Sequence, residues 1–133
     1  MPHRQLISSG SPYELTVGYS RAVRVGDRVV VAGTAPQWPD GRVEPDPGLQ
    51  AQRCFEIIAQ ALDDAGATLA DVVRSRVYLV DATDFAAVST VHGEVFRDVR
   101  PANTTVVVAE LLDPAWKVEI EVEAIIEPDR MAR

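Results

Sequence analysis

Residues 117–124 alternate charge with bulk: Lys117, Glu119, Glu121 and Glu123 fall on one face of an extended strand, and Val118, Ile120, Val122 and Ala124 on the other. Alternation alone explains Glu121 as a cross-strand partner of Arg74 or Arg76, and the carboxylate row gives no convincing metal site. His92 lies on an apolar stripe with Val88 and Phe96, which suits a buried, hydrogen-bonded imidazole; the sharper alternative is a neutral base near pH 7. Cys54 sits on another apolar stripe with no partner base in view, as a small buried hydrophobe does. His3, His92 and Cys54 lack the ligand spacing of a zinc site. No glycine-rich phosphate loop is present either.

The elements that must position these groups follow from local pattern. Residues 17–25 and 28–34 are strand-like and joined at Gly26-Asp27, the spacing of a β-hairpin. Pro36 to Gly48 reads as a loop, closed by Asp46 as helix N-cap and Pro47 at the first helical position. Ala51, Cys54, Phe55, Ile58, Ala61, Leu62 and Ala65 then recur at helical spacing, with Gly66 as the stop. A strand over 72–80 follows. The next helix begins near Thr83-Asp84 and carries Phe85, Val88, Val91, His92, Val95 and Phe96, ending before Pro101. Strands at about 103–111 and 117–126 complete a single domain spanning 1–133. This order predicts an α+β fold, two helices on one face of a mixed β-sheet. The other face mixes charge with Val72, Tyr78, Val80 and Val107, a surface that self-association would complete.

Composition narrows the function classes. With 47% hydrophobic and 25% charged residues, the chain is ordinary for a soluble domain. A net charge of −7 argues against non-specific binding to nucleic acid and against anionic membrane surfaces. One cysteine excludes an internal disulfide, and neither a spanning run nor a signal segment is visible, so the cytoplasm is expected.

Several short pieces, in order, carry a resemblance. They are Gly18-Tyr19-Ser20-Arg21-Ala22-Val23, Val31-Ala32-Gly33-Thr34, Gln52 and Arg53, Ala65-Gly66-Ala67, Asp71-Val72-Val73, Val77-Tyr78-Leu79-Val80-Asp81 and Asp84-Phe85. Arg100-Pro101-Ala102-Asn103-Thr104-Thr105-Val106-Val107-Val108 and Trp116-Lys117-Val118-Glu119-Ile120-Glu121 follow. Together they resemble the Rid/YjgF family, best known for hydrolysing reactive enamines and imines. The resemblance implies a chorismate-mutase-like fold and a homotrimeric barrel with ligand clefts between subunits. It implies a small-molecule ligand, no metal and no organic cofactor.

Carried over residue by residue, the resemblance gives Tyr19 and Gly33 as pocket walls, Ala32 in place of a serine, and Ser89 in place of an asparagine. Thr105 stands where many members have a thiol, and Glu121 is the water-positioning glutamate, with Glu119 and Glu123 close in register. Asn103 stands where deaminating members hold the substrate carboxylate with arginine. One uncharged amide for a two-pronged guanidinium weakens carboxylate binding by a few kcal/mol. Arg21 and Arg100 are the groups open to replace it from another direction. Trp116, beside Pro114, either covers a ligand or anchors a turn.

Two function classes follow. One is an imine- or enamine-directed hydrolase whose action on 2-aminoacrylate is in question; the other is a non-catalytic trimer that binds a metabolite or a protein, in a regulatory or chaperone-like role. Ribonuclease activity, also attached to parts of that family, fits the acidic charge least.

Overall fold

The computed structural model describes residues 3–128. Its strands are β1 (Arg4–Ile7), β2 (Ala22–Val25), β3 (Arg28–Thr34), β4 (Val72–Leu79), β5 (Ala102–Val107) and β6 (Val118–Ile125). Its helices are α1 (Pro47–Asp64) and α2 (Phe85–Phe96). The strands form one sheet in the order β1-β2-β3-β6-β4-β5. All pairings are antiparallel except β4 with β5, which the α2 crossover makes parallel.

Local chemistry sets the helix α1. The Asp46 carboxylate accepts from the Leu49 N–H at 2.9 Å, and Pro47 occupies the first turn. At the other end the Ala67 N–H reaches the Leu62 carbonyl at 2.8 Å and Gly66 takes φ 85°, a left-handed stop that glycine adopts without strain. Between these ends Ala51, Cys54, Phe55, Ile58, Ala61 and Leu62 are buried. They pack on β3, β6 and α2, where Val29, Val31, Val118, Ile120 and Val122 form the sheet side of the core. Burying each of the large aliphatic side chains stabilises the fold by about 1.5–3 kcal/mol.

Four details depart from the pattern read in the sequence. Residues 17–25 are not one strand: Glu14–Gly18 form a single π-helical turn, and β2 begins at Ala22. The Glu14 carboxylate holds that turn by accepting from the Ser9 hydroxyl at 2.6 Å and the Ser9 N–H at 2.9 Å. β1, which the pattern does not reveal, pairs with β2. Finally, Val72 is buried in the core, because the register of β4 against β6 shifts between Val72 and Arg74. Val107 likewise leaves the open face: it pairs with buried Leu79 and shares that residue's side of the sheet. The hairpin at Gly26-Asp27 stands, with Gly26 at φ 62°.

The sheet therefore has a helix-covered face and an open face. The open face carries Glu119, Glu121 and Glu123 of β6 beside Arg74, Arg76 and Tyr78 of β4, with exposed Val30 and Val106 at its flanks.

Candidate functional site

On the helix-covered side, β4, β5 and one flank of α2 enclose a cleft of about 130 Å³. Ser89, Asn103 and Thr105 line it together with Phe85, His92 and Gly93. Three residues that only the resemblance had linked thus meet at one place. Asn103 lies opposite Ser75 in the parallel ladder and Thr105 opposite Val77, so both side chains point towards α2.

These groups form a chain. The Thr105 hydroxyl donates to Asn103 Oδ1 at 3.0 Å, and Asn103 Nδ2–H donates to Ser75 Oγ at 3.0 Å. Ser75 Oγ lies 2.8 Å from His92 Nε2. Since Ser75 accepts from Asn103, its own proton is available to the imidazole, which completes the chain when the ring is neutral with its proton on Nδ1. Burial among Phe55 and Phe96 pushes the His92 pKa down, in the same direction. The expected imidazole on an apolar stripe is therefore present, and it is tied to the polar cleft through Ser75.

The sign of the pH effect follows. His92 titrates below 6.5 when folded, so the unfolded chain binds more protons as pH falls. The stability from neutral His92 is complete above pH 6.5 and is lost as pH falls through the folded pKa. Thermal melts between pH 7 and about pH 5 are expected to show a steeper loss in the native protein than in a His92→Gln variant. Equal slopes would assign the acid sensitivity of that range to other groups; Glu14, whose carboxyl the Ser9 hydrogen bonds hold below its usual range, loses its contribution only at lower pH.

The open face carries a different set. Tyr78 donates its hydroxyl to Glu121 Oε1, and Arg76 Nη1 lies 3.6 Å from Glu121 Oε2. Arg76 and Arg74 also reach Glu123, each at 3.8 Å. Glu119 is set apart. Its carboxylate lies so close to Gly33 that a Cβ there would collide with it. Burial raises the Glu119 pKa, with Arg21 acting the other way. Arg21 donates to the Gly33 carbonyl at 2.5 Å, while its buried Nε has no partner among the described residues. Ala32 and Gly33 fall within the register shift of β3 against β6, between Val31 and Thr34. Tyr19 follows the π-helical turn in extended conformation, exposed and outside any strand.

The residues read from the sequence are thus gathered into two groups on opposite faces. Ser89, Asn103 and Thr105 lie on the helix side, whereas Gly33 and Glu121 lie on the open side, with β4 and β6 between Asn103 and Gly33. Cys54 is fully buried, and burial pushes its thiol pKa far up, as in a core residue and not a nucleophile. Ser75 and Arg97 were not read from the sequence. Ser75 was legible only as a polar residue within a strand, and Arg97 as one charge among several. Trp116 belongs to a turn, its N–H donating to the Asp113 carbonyl, and its indole N–H is buried without a partner among the described residues.

A larger cavity of about 340 Å³ adjoins the cleft and shares His92 and Gly93 with it. Arg97, Arg100 and Pro101 line its far side. Arg100 has φ 55°, a left-handed conformation that costs a residue with a Cβ about 1–2 kcal/mol.

A model of the family described as endoribonuclease L-PSP matches residues 11–126. The chain belongs to this family. Its YjgF-type fold is seen in a solved structure, Rv2704 of Mycobacterium tuberculosis, a YjgF/YER057c/UK114 family member. The two share 44% identity at a TM-score of 0.87, covering 93% of this chain and 100% of that one. A RutC family protein of Pyrococcus abyssi is 41% identical over 109 residues, 80% of this chain and 84% of its own length. A Dermatophagoides farinae protein named 2-iminobutanoate/2-iminopropanoate deaminase is 31% identical over 133 residues, 96% of this chain and 100% of its own length. In this YjgF-family chain, among the described residues, no helix is long and apolar enough to cross a membrane, and no group of three ligating side chains is placed to hold a metal.

Proposed function

We propose that this YjgF-family protein is a hydrolase of small, labile imines or enamines, acting as a homotrimer in which the cleft face of one copy meets the open face of the next. The observation that carries the reading is the division of the polar groups. Asn103 and Thr105 present ligand contacts on the outer strand β5, while a carboxylate pair in unlike environments, Glu119 and Glu121, waits on the opposite face. A neighbouring copy brings the two together. A ribonuclease role is disfavoured by the same carboxylates, which would repel a phosphate backbone.

In the reaction, Glu121, held by Tyr78 and Arg76, orients a water towards the carbon of C=N. Water adds its hydroxyl to carbon and its proton to nitrogen. The carbinolamine then loses ammonia, the hydroxyl proton passing to the leaving nitrogen, and a carbonyl remains. Glu119, pushed by burial towards its protonated form, is suited to carry that proton.

A coupled assay on freshly generated 2-aminoacrylate and 2-iminobutyrate tests this reading. The native protein is expected to act weakly on both, because their acid group adjoins the reacting carbon where Asn103 offers no charge. Asn103→Arg is expected to raise kcat/KM at least about 10-fold by restoring a two-pronged carboxylate contact. If neither protein hydrolyses any imine in a panel that includes neutral ones, the protein is a non-catalytic ligand-binding trimer.

A further inference from the structure

We infer that the cavity beside the Asn103 cleft is an acid-binding subsite, in which Arg97 and Arg100 take a carboxylate placed several atoms away from the ligand's carbonyl or imine carbon. The inference rests on the hydrolase reading for the reacting end and names the substrate class: imines derived from keto acids whose acid group is remote.

Three observations converge. Arg97 and Arg100 border the same cavity, and neither has an ion pair or side-chain hydrogen bond among the described residues. Two guanidinium groups without an acid partner on one concave wall form a local positive field. They are not needed to finish α2, because the Phe96 carbonyl already accepts from the Val99 and Arg100 N–H groups at 3.0 and 2.9 Å.

Arg100 also occupies a left-handed position where glycine would be unstrained. A strained arginine kept at a cavity wall points to a contribution from its side chain.

Continuity supplies the third argument. His92 and Gly93 line both cavities, and a Cβ built on Gly93 would meet no atom within 4 Å. A short chain of methylenes can therefore pass over Gly93 with its carbonyl end at Asn103 and Thr105 and its acid end between the arginines. The family's carboxylate contact is then not lost but displaced, and Asn103 is left to a neutral part of the ligand.

Two isomeric keto acids test this without turnover. 2-Oxopentanoate and 4-oxopentanoate have the same formula and charge and differ only in where the acid lies. Titration by NMR or calorimetry is expected to show the native protein binding the 4-oxo isomer at least about 10-fold tighter. The Arg97→Gln/Arg100→Gly double variant is expected to lose that preference while its binding of the 2-oxo isomer is unchanged. The single variant Arg100→Gly should melt no lower than the native protein, since glycine relieves the positive φ, so lost binding cannot be assigned to unfolding. Equal affinity for the isomers, no binding of either, or a preference that survives the double substitution overturns the subsite. Preference without hydrolysis of any imine would keep the subsite and remove the hydrolase reading; hydrolysis indifferent to acid position would do the reverse.

Discussion

Replacing Gln50 with leucine is expected to cost roughly 3–5 kcal/mol and lower the melting temperature by roughly 10–20 °C, although the side chains are of similar size. Gln50 is fully buried in the first turns of α1. Its amide nitrogen donates to the Glu44 carbonyl at 2.8 Å and the Ala115 carbonyl at 2.9 Å, and its Oε1 accepts from the Lys117 N–H at 2.7 Å. One side chain thus ties the helix to the loop before it and to the residues that lead into β6. Leucine would leave two carbonyls and one N–H without partners, at about 1–3 kcal/mol each. Gln60, on the exposed side of the same helix with Asp64 as its partner, is the control: Gln60→Leu should change stability by under about 0.5 kcal/mol. Thermal unfolding followed by circular dichroism measures both. A loss below about 1 kcal/mol for Gln50→Leu would show that water replaces the side chain at the freed backbone groups.

The same residue shows what the sequence could and could not reveal. The stripe Ala51, Cys54, Phe55, Ile58 and Leu62 announces α1, and Asp46, Pro47 and Gly66 announce its ends, because those signals are local. Gln50 lies four positions before Cys54 on that stripe, so its burial was legible in the spacing. Its partners were not, since two of them are more than sixty residues away.

The failures share that cause. β1 has four residues and exists through its pairing with β2. Val72 changes face because of a register shift, which period-two reading cannot anticipate. In the site, the alternation of β6 placed Glu119, Glu121 and Glu123 on one face, yet it could not separate them. That separation comes from across the strands: Tyr78 and Arg76 for Glu121, Gly33 and Arg21 for Glu119. Ser75 needed α2 to be laid over β4 before its contact with His92 appeared.

Those unlike environments lead to the largest expected effect on activity. Glu121→Gln should lower kcat/KM about 100-fold or more on whichever imine the native protein hydrolyses, because a carboxylate that orients water contributes about 10²–10⁴ in rate. The substitution is mild structurally. Glutamine keeps an oxygen for the Tyr78 hydroxyl, and the half-exposed pair with Arg76 at 3.6 Å is worth under about 1 kcal/mol, so the melting temperature should move little. The ion-pair reading of Glu121, which the geometry equally satisfies, predicts unchanged turnover instead. Glu119→Gln separates the roles further. Glu119 has a raised pKa and no ion-pair partner within 4 Å among the described residues, so its replacement should remove a limb of the pH–rate profile and leave ligand affinity in place. Loss of turnover with Glu121→Gln and loss of a pH limb with Glu119→Gln would make the row an acid–base pair. Loss with Glu119→Gln alone would move the water-orienting role two residues towards Gly33, where the open face meets the turn that carries Tyr19 and Arg21.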